Sequence, residues 1–223
     1  MKKTFETIKN NPLLQGISFS DFEKMLTCLS AKTTTYQKNT TILQSGDTIN
    51  YIGIILSGNI KIIKENPNNQ NTTTTIKEQN APELFGEEYT CAEIDHSPIT
   101  IQTTEKTEIL HIDYKRINTS CTSACPYHRR LIKNMLKLIA TKNITQNQKI
   151  EILTKRTTRE KILTYLNTQK NTTTTATTKF TIPYNRQELA NYLCVDRSAM
   201  SNELSKMKKE GLIKYNKNTF ELT

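Results

Sequence analysis

Tryptophan is absent, histidine occurs three times, and no arginine appears before residue 116. With 35% hydrophobic residues and no tryptophan, the core is adequate rather than rich. A chain of 223 residues still suits one large domain or two ordinary ones. No stretch approaches the roughly 20 apolar residues that a bilayer span needs, so no membrane helix is expected. The opening segment, MKKTFETIKNNPLLQG, has two lysines but no apolar run behind them and does not read as a signal peptide. The expectation is a cytoplasmic protein whose thiols stay reduced. Cys28, Cys91, Cys121, Cys125 and Cys194 are odd in number and unevenly spaced, which excludes a secreted disulfide framework. A metal-dependent barrel enzyme would need clustered histidine and carboxylate ligands. Only His96 and His111 fall in the β-rich region, so no enzyme activity is expected.

Positive charge is abundant. The formal net charge is +10 and the pI near 9.3, which favours a polyanionic partner, nucleic acid before anionic membrane. Charge alone does not separate that reading from a merely soluble basic protein.

The pattern along the chain changes three times. Phe19, Phe22, Met25 and Leu26 repeat at helical spacing, with Ser18 or Ser20 as the cap. From about Lys32 the chain becomes a series of short β-rich runs: TTTYQ, TTIL, YIGIIL, NIKIIK, TTTTIKE, then ITIQTT (99–104) and EILHID (108–113). Gly46-Asp47 and Ser57-Gly58-Asn59 mark turns between them. Regular short strands of this kind predict a β-sandwich or jelly-roll barrel. From Pro126 about 30 residues carry neither Gly nor Pro. Leu131, Met135, Leu138, Thr145 and Ile152 form one row, extended by Lys142 and Lys149, and Ile132, Leu136, Ile139, Ile150 and Leu153 a second. A helix of roughly 40 Å follows, with one face for the barrel and one for a second helix. The alternative is a long helix packed only on its own chain.

Beyond Thr154, Arg159–Leu166 reads as a helix and NTQKNTTTTATTK (167–179) as an exposed loop. A strand (Phe180–Ile182), two helices and a terminal hairpin follow. The fold class is therefore α+β, in three parts: a sensing β-barrel at 1–125, a dimerisation helix at 126–153 and a winged helix-turn-helix at 154–223.

The chemistry is clearest in NRQELANYLCVDRSAMSNELSKMKKEGL. Leu189, Tyr192 and Leu193 share one helical face. Asp196 can cap the next helix, which runs to about Glu210, with Ala199, Met200, Leu204 and Met207 as an inward stripe. Its other positions are small, polar and able to donate hydrogen bonds, as a helix in the major groove requires. Arg197 can span O6 and N7 of a guanine, and Asn202 can pair with an adenine. Ser198 lies on the same face. Asn185, Arg186 and Gln187 open the first helix, where free N–H groups suit a phosphate. Ser201, Lys206 and, on the hairpin wing, Lys214 and Lys217 are the further candidates for backbone contact. A helix pair that only packs is the bland alternative. Cys194, in the turn, reads as a small core residue.

At this point the chain resembles the Crp/Fnr-type transcription regulators over almost its full length. The residues that carry the resemblance are RQELANYLCVDRSAMSNELSKMKKEGLI at the C-terminal end and LQSGD, YIGIILSGNIKII and FGEE in the barrel. The resemblance implies an N-terminal effector-sensing barrel of the cyclic-nucleotide-binding type and a homodimer on double-stranded DNA with a two-fold symmetric operator. RNA polymerase enters as a candidate partner on the same ground. Arg197, Ser198 and Asn202 fall on the family's base-reading positions. Asn202 stands where many members carry Arg, which implies an altered base preference.

The sensor departs further from the family. Members that bind cyclic AMP use a Gly-Glu pair and, about ten residues on, an Arg with a Ser or Thr for the cyclic phosphate. Gly86-Glu87 is kept, but His96-Ser97-Pro98 replaces the second part. Without an arginine the phosphate lacks its bidentate partner, and Pro98 removes a backbone donor. His96 carries charge only when protonated. Cyclic AMP is thus disfavoured as effector, and the favoured role of Gly86-Glu87 is structural: a tight turn and a cap for a short helix. Cys121, Cys125 and His128 supply three metal-ligand types near a helix start, which opens a metal or redox role. An iron–sulfur cluster would need a fourth soft ligand. Unliganded thiols at a hinge are the plain alternative.

Overall fold

The structure, a computed structural model, describes residues 1–64, 72–76, 83–118, 126–172 and 178–223. The chain divides into two units, Met1–Ala140 and Thr141–Thr223. The division falls inside the long helix.

The first unit opens with α1 (Lys2–Ile8), a 3-10 turn at Pro12–Leu14, and α2 (Phe19–Cys28). Ser18 is the cap of α2: its Oγ accepts the Asp21 N–H at 3.1 Å and donates to the Asp21 carboxylate at 2.8 Å. Strands β1 (Lys32–Tyr36), β2 (Thr41–Leu43), β3 (Tyr51–Ser57), β4 (Ile60–Lys64), β5 (Thr72–Ile76) and β6 (Leu84–Phe85) follow, then α3 (Glu87–Cys91), β7 (Thr100–Thr103), β8 (Thr107–Asp113) and α4 (Tyr114–Asn118). They form two four-stranded antiparallel sheets, ordered β1-β8-β3-β6 and β2-β7-β4-β5. The expected strands are all present. The two-residue β6 is an addition, too short to show a period.

The sequence of β3 explains the layering. YIGIIL is apolar without alternation because both of its faces are covered. Ile55 points between the sheets with Leu43, Ile60, Phe85, Ile101 and Ile109. Ile52, Ile54 and Leu56 point the other way, with Leu110 and Ile112, onto Ile8, Leu13, Phe22, Met25 and Leu131 of the helical layer. Gly53 is the one position in β3 where a side chain has no room. An added Cβ would lie 2.1 Å from Cζ of Phe85, whose ring covers the strand there.

The long helix α5 (Pro126–Leu153) contributes to both units. At 28 residues it is about 42 Å long. In the first unit Leu131 and Met135 are buried and Leu138 and Ile139 partly so. Asn134 is buried with them because it has work there: its Nδ2 donates to the carbonyls of Leu13 and Gln15, each at 2.9 Å, tying the 3-10 turn to the helix. Residues 140–147 are exposed on every side, Thr145 among them, so the first predicted row is not buried without a break.

The second unit contains α6 (Thr158–Thr172), β9 (Lys179–Thr181), α7 (Arg186–Leu193), α8 (Arg197–Lys209), β10 (Ile213–Asn216) and β11 (Thr219–Leu222), with sheet order β10-β11-β9. Thr157 and Glu160 cap α6 reciprocally, at 3.0 and 3.2 Å. The helix runs six residues past Leu166, so the expectation of a loop from residue 167 is corrected. Residues 168–170 are half-buried, so tertiary packing overrides the weak helix preference of this stretch, with the Thr168 hydroxyl donating to the Thr164 carbonyl at 2.9 Å. The core gathers Ile152, Ile162, Tyr165, Leu166, Leu189, Leu193, Met200, Leu204, Met207, Ile213 and Phe220.

Gly53→Ala should destabilise the protein by about 1–3 kcal/mol through overpacking, and adding Phe85→Leu should recover part of that loss. Urea denaturation of the single and double variants measures both. A Gly53→Ala protein as stable as the unaltered one would contradict the close approach.

Candidate nucleic-acid interface

Two short-range devices shape the helix pair. Asn185 and Glu188 form a capping box on α7, with the Asn185 side chain accepting the Glu188 N–H at 3.0 Å and the Asn185 N–H reaching Glu188 Oε2 at 2.8 Å. Asp196 caps α8 by accepting the Ala199 N–H at 2.8 Å. That carboxyl lies below its ordinary pKa, held by the Ser198 hydroxyl first and the Ala199 N–H second. Between the helices Cys194 adopts φ +50, the left-handed turn that ends α7, and is exposed. The expectation of a core cysteine is therefore corrected: Cys194 ends α7 in the turn, outside the buried face of Leu189 and Leu193, and its thiol donates to the Asn191 carbonyl at 3.7 Å.

On α8 the buried positions are Met200, Leu204 and Met207. Ala199, expected to join them, is exposed, because one residue is 100° of helix and the stripe is narrow. Opposite the stripe, Arg197, Ser198, Asn202, Ser205 and Lys206 are exposed and Ser201 is half-buried. The Ser198 hydroxyl donates to Asp196 at 2.5 Å, which leaves its oxygen able to accept. The Ser205 hydroxyl donates back to the Ser201 carbonyl at 2.9 Å. The exposed face thus offers a guanidinium, an amide and an ammonium, with no large apolar group.

The other predicted contacts fall in different settings. Gln187 is exposed and bonds Asn191 at 3.0 Å. Lys214 and Lys217 are exposed on the hairpin. Arg186 is engaged within the protein. Its Nη2 donates to the Lys217 carbonyl at 3.0 Å, and its guanidinium carbon lies 4.9 Å from the Tyr215 ring centre and 5.2 Å from that of Phe220. Burial lowers its pKa. This arginine holds the wing against the start of α7.

One set of contacts in this unit was not anticipated. Arg159, on α6, meets Glu203 and Glu210 of the α8 segment. Another is the group of Tyr165, Tyr184 and Tyr192, whose rings stack at 4.9 to 6.2 Å with the Lys149 ammonium 3.3 Å from the Tyr192 centre. Glu203 and Glu210, two helical turns apart, were the visible signal for the first.

In the sheet unit Gly86 has φ +83 and caps α3 in a tight turn, and a Cβ there would lie 3.3 Å from the Tyr51 carbonyl. Glu87 is the first residue of α3 and fully buried. His96 donates from Nδ1 to the Gly46 carbonyl at 2.9 Å. Ser97 is buried, donating its hydroxyl to the Ile99 carbonyl at 2.8 Å, while its backbone bonds Gly46 and Asp47, each at 2.8 Å. Both residues therefore close the Gly46-Asp47 loop. Between the sheets, Tyr36 Oη lies 3.0 Å from His111 Nε2 and the Tyr51 ring 4.7 Å from that imidazole. Burial lowers the His111 pKa and lifts that of Tyr51 to about 12. His128 is buried and bonds the Ile117 carbonyl at 2.9 Å through Nε2. Cys121 and Cys125 lie outside the described residues. Among the described residues no group of three metal-ligating side chains occurs, and no helix is long and apolar enough to cross a membrane.

Comparison with known proteins agrees with this arrangement. Residues 33–123 match the cyclic nucleotide-binding domain and residues 160–223 the Crp-like helix-turn-helix domain. No curated protein matches the sequence significantly. Among solved structures the chain is similar to the catabolite activator protein of Thermus thermophilus, at 18% identity and TM-score 0.53, covering 96% of this chain and 94% of that one. It is also similar to CLP of Xanthomonas campestris, described as a c-di-GMP-responsive global regulator, at 20% identity and TM-score 0.51 over 92% and 99% of the two chains. CprK in complex with OCPA gives a TM-score of 0.58 at 14% identity, over 90% and 89%. With a cyclic-nucleotide-binding-type domain, a long central helix and a Crp-like helix-turn-helix in one chain, the protein belongs to the Crp/Fnr family of DNA-binding transcription regulators.

Proposed function

We propose that the protein acts in the cytoplasm as a sequence-specific homodimer, reading a two-fold symmetric operator with α8 in the major groove. The observation that carries this reading is the division of α8 into a buried stripe of Met200, Leu204 and Met207 and an exposed polar face with Arg197 at its start. Arg197 and Asn202 read base edges. Ser198, whose hydroxyl proton is held by Asp196, accepts from a base donor. Asn185, Gln187, Ser201, Lys206, Lys214 and Lys217 meet phosphates, and Arg186 serves the backbone contact by fixing the wing. Symmetry of the operator mirrors symmetry of the dimer.

Dimerisation is supported by the second row of α5. Leu136 is 65% exposed and Ile150 57%, with Ile132 and Ile144 exposed as well. A helix that leaves such residues bare along its length favours a partner helix. For the sensor, the commitment of His96 and Ser97 to loop closure, and the lack of arginine in that region, favour an effector other than cyclic AMP. RNA polymerase as a partner rests on the family alone.

Three outcomes are expected. Arg197→Ala, assayed by fluorescence anisotropy on duplexes selected from a random pool, should lose about 1–3 kcal/mol of discrimination against scrambled duplex while keeping its salt-dependent background binding. Equal discrimination would sink the assignment. Leu136→Asp with Ile150→Asp should shift sedimentation from dimer to monomer. A dimer that survives both changes places its interface elsewhere. Adding cyclic AMP should leave operator affinity unchanged, and a tightening of affinity on its addition would overturn the effector reading.

A further inference from the structure

The recognition segment carries a feature that opposes its own task. Glu203 follows Asn202 directly, and Glu210 ends the helix. Two carboxylates on an element entering a polyanionic groove repel phosphate, and at physiological salt the repulsion reaches across about 8 Å. Both are met by one residue. Arg159 Nε donates to Glu203 Oε1 at 2.5 Å, while Nη1 and Nη2 donate to the two oxygens of Glu210 at 2.8 and 2.7 Å. The guanidinium is planar, so it grips Glu210 with two parallel bonds while its Nε reaches Glu203, an arrangement an ammonium cannot reproduce. Its base is firm: α6 is anchored by Ile162, Tyr165 and Leu166 in the core of the unit.

We infer that Arg159 is a positioning residue for DNA reading, holding α8 at both its middle and its end so that Arg197 and Asn202 present a fixed geometry to the bases. The inference rests on the assignment of α8 as the base-reading helix. It goes beyond that assignment by giving sequence discrimination to a residue that touches no base. The Arg159–Glu210 pair is 36% and 45% exposed and adds little to stability, whereas Glu203 is 19% exposed, so melting is followed beside binding.

Charge and geometry predict opposite signs in one variant. Glu203→Gln with Glu210→Gln removes two negative charges from the DNA-facing segment, so electrostatics alone gives tighter binding to every duplex. Positioning gives roughly tenfold lower preference for selected over scrambled duplex, in line with the loss of a coupled network. The measurement is anisotropy on both duplexes with the full-length protein, alongside thermal melting. The expected result is a melting temperature within a few degrees of the unaltered protein and a reduced preference. Arg159→Lys should recover less than half of the preference lost in Arg159→Ala, because it keeps the charge without the fork. Unchanged preference in the double Gln variant, or full preference in Arg159→Lys, overturns the inference while leaving α8 as the reader. Absence of any preference in the unaltered protein overturns both.

Discussion

The second unit depends on a narrow apolar stripe. Met200, Leu204 and Met207 are the buried residues of α8, and they occupy one edge of a 13-residue helix. Everything else on that helix is free to be polar because so little of it is needed for packing. A broader stripe would bury the helix more deeply and leave no continuous face for a groove. Other contacts add to those three side chains. Asp196 fixes its start, Arg159 grips Glu203 and Glu210, and α7 is itself fixed by the Asn185–Glu188 box and by Arg186 on the wing.

The sensing unit keeps the architecture of its family while turning polar groups inward. His96 and Ser97 stand where a phosphate-binding pair is expected, yet both close the loop at Gly46-Asp47. Between the sheets the polar side chains are aromatic: Tyr36, Tyr51 and His111, with burial lowering the pKa of the imidazole. Structural likeness below 25% identity extends to the fold and not to what the relatives bind, so the chemistry of these residues is the better guide to the effector.

Local features were readable from the sequence. The strands of the two sheets follow from their β-rich composition and the turn residues between them, and the caps at Ser18 and Asp196 follow from residue type and spacing. Such signals act within a few residues. The misreadings have long-range or conformational causes. Strand β6 pairs with β3 where Gly53 admits the Phe85 ring, and α6 continues past Leu166 because residues 168–170 are half-buried by the rest of the unit. Cys194 is exposed because the turn demands a left-handed residue. Arg159 lies 44 and 51 residues from its two partners, and no local pattern links them. The same distance hides the engagement of Arg186, whose partner on the wing arrives 31 residues later.

The central claim is that the outer face of α8 reads base edges in the major groove. Methylation interference on a selected duplex tests it most directly, because a methyl group on guanine N7 blocks that edge without altering the backbone. The account predicts one sensitive guanine in each half of the operator, with that sensitivity lost when Arg197→Ala is bound to the same duplex. Interference that is absent from both halves, or that persists unchanged in the Arg197→Ala protein, would contradict it.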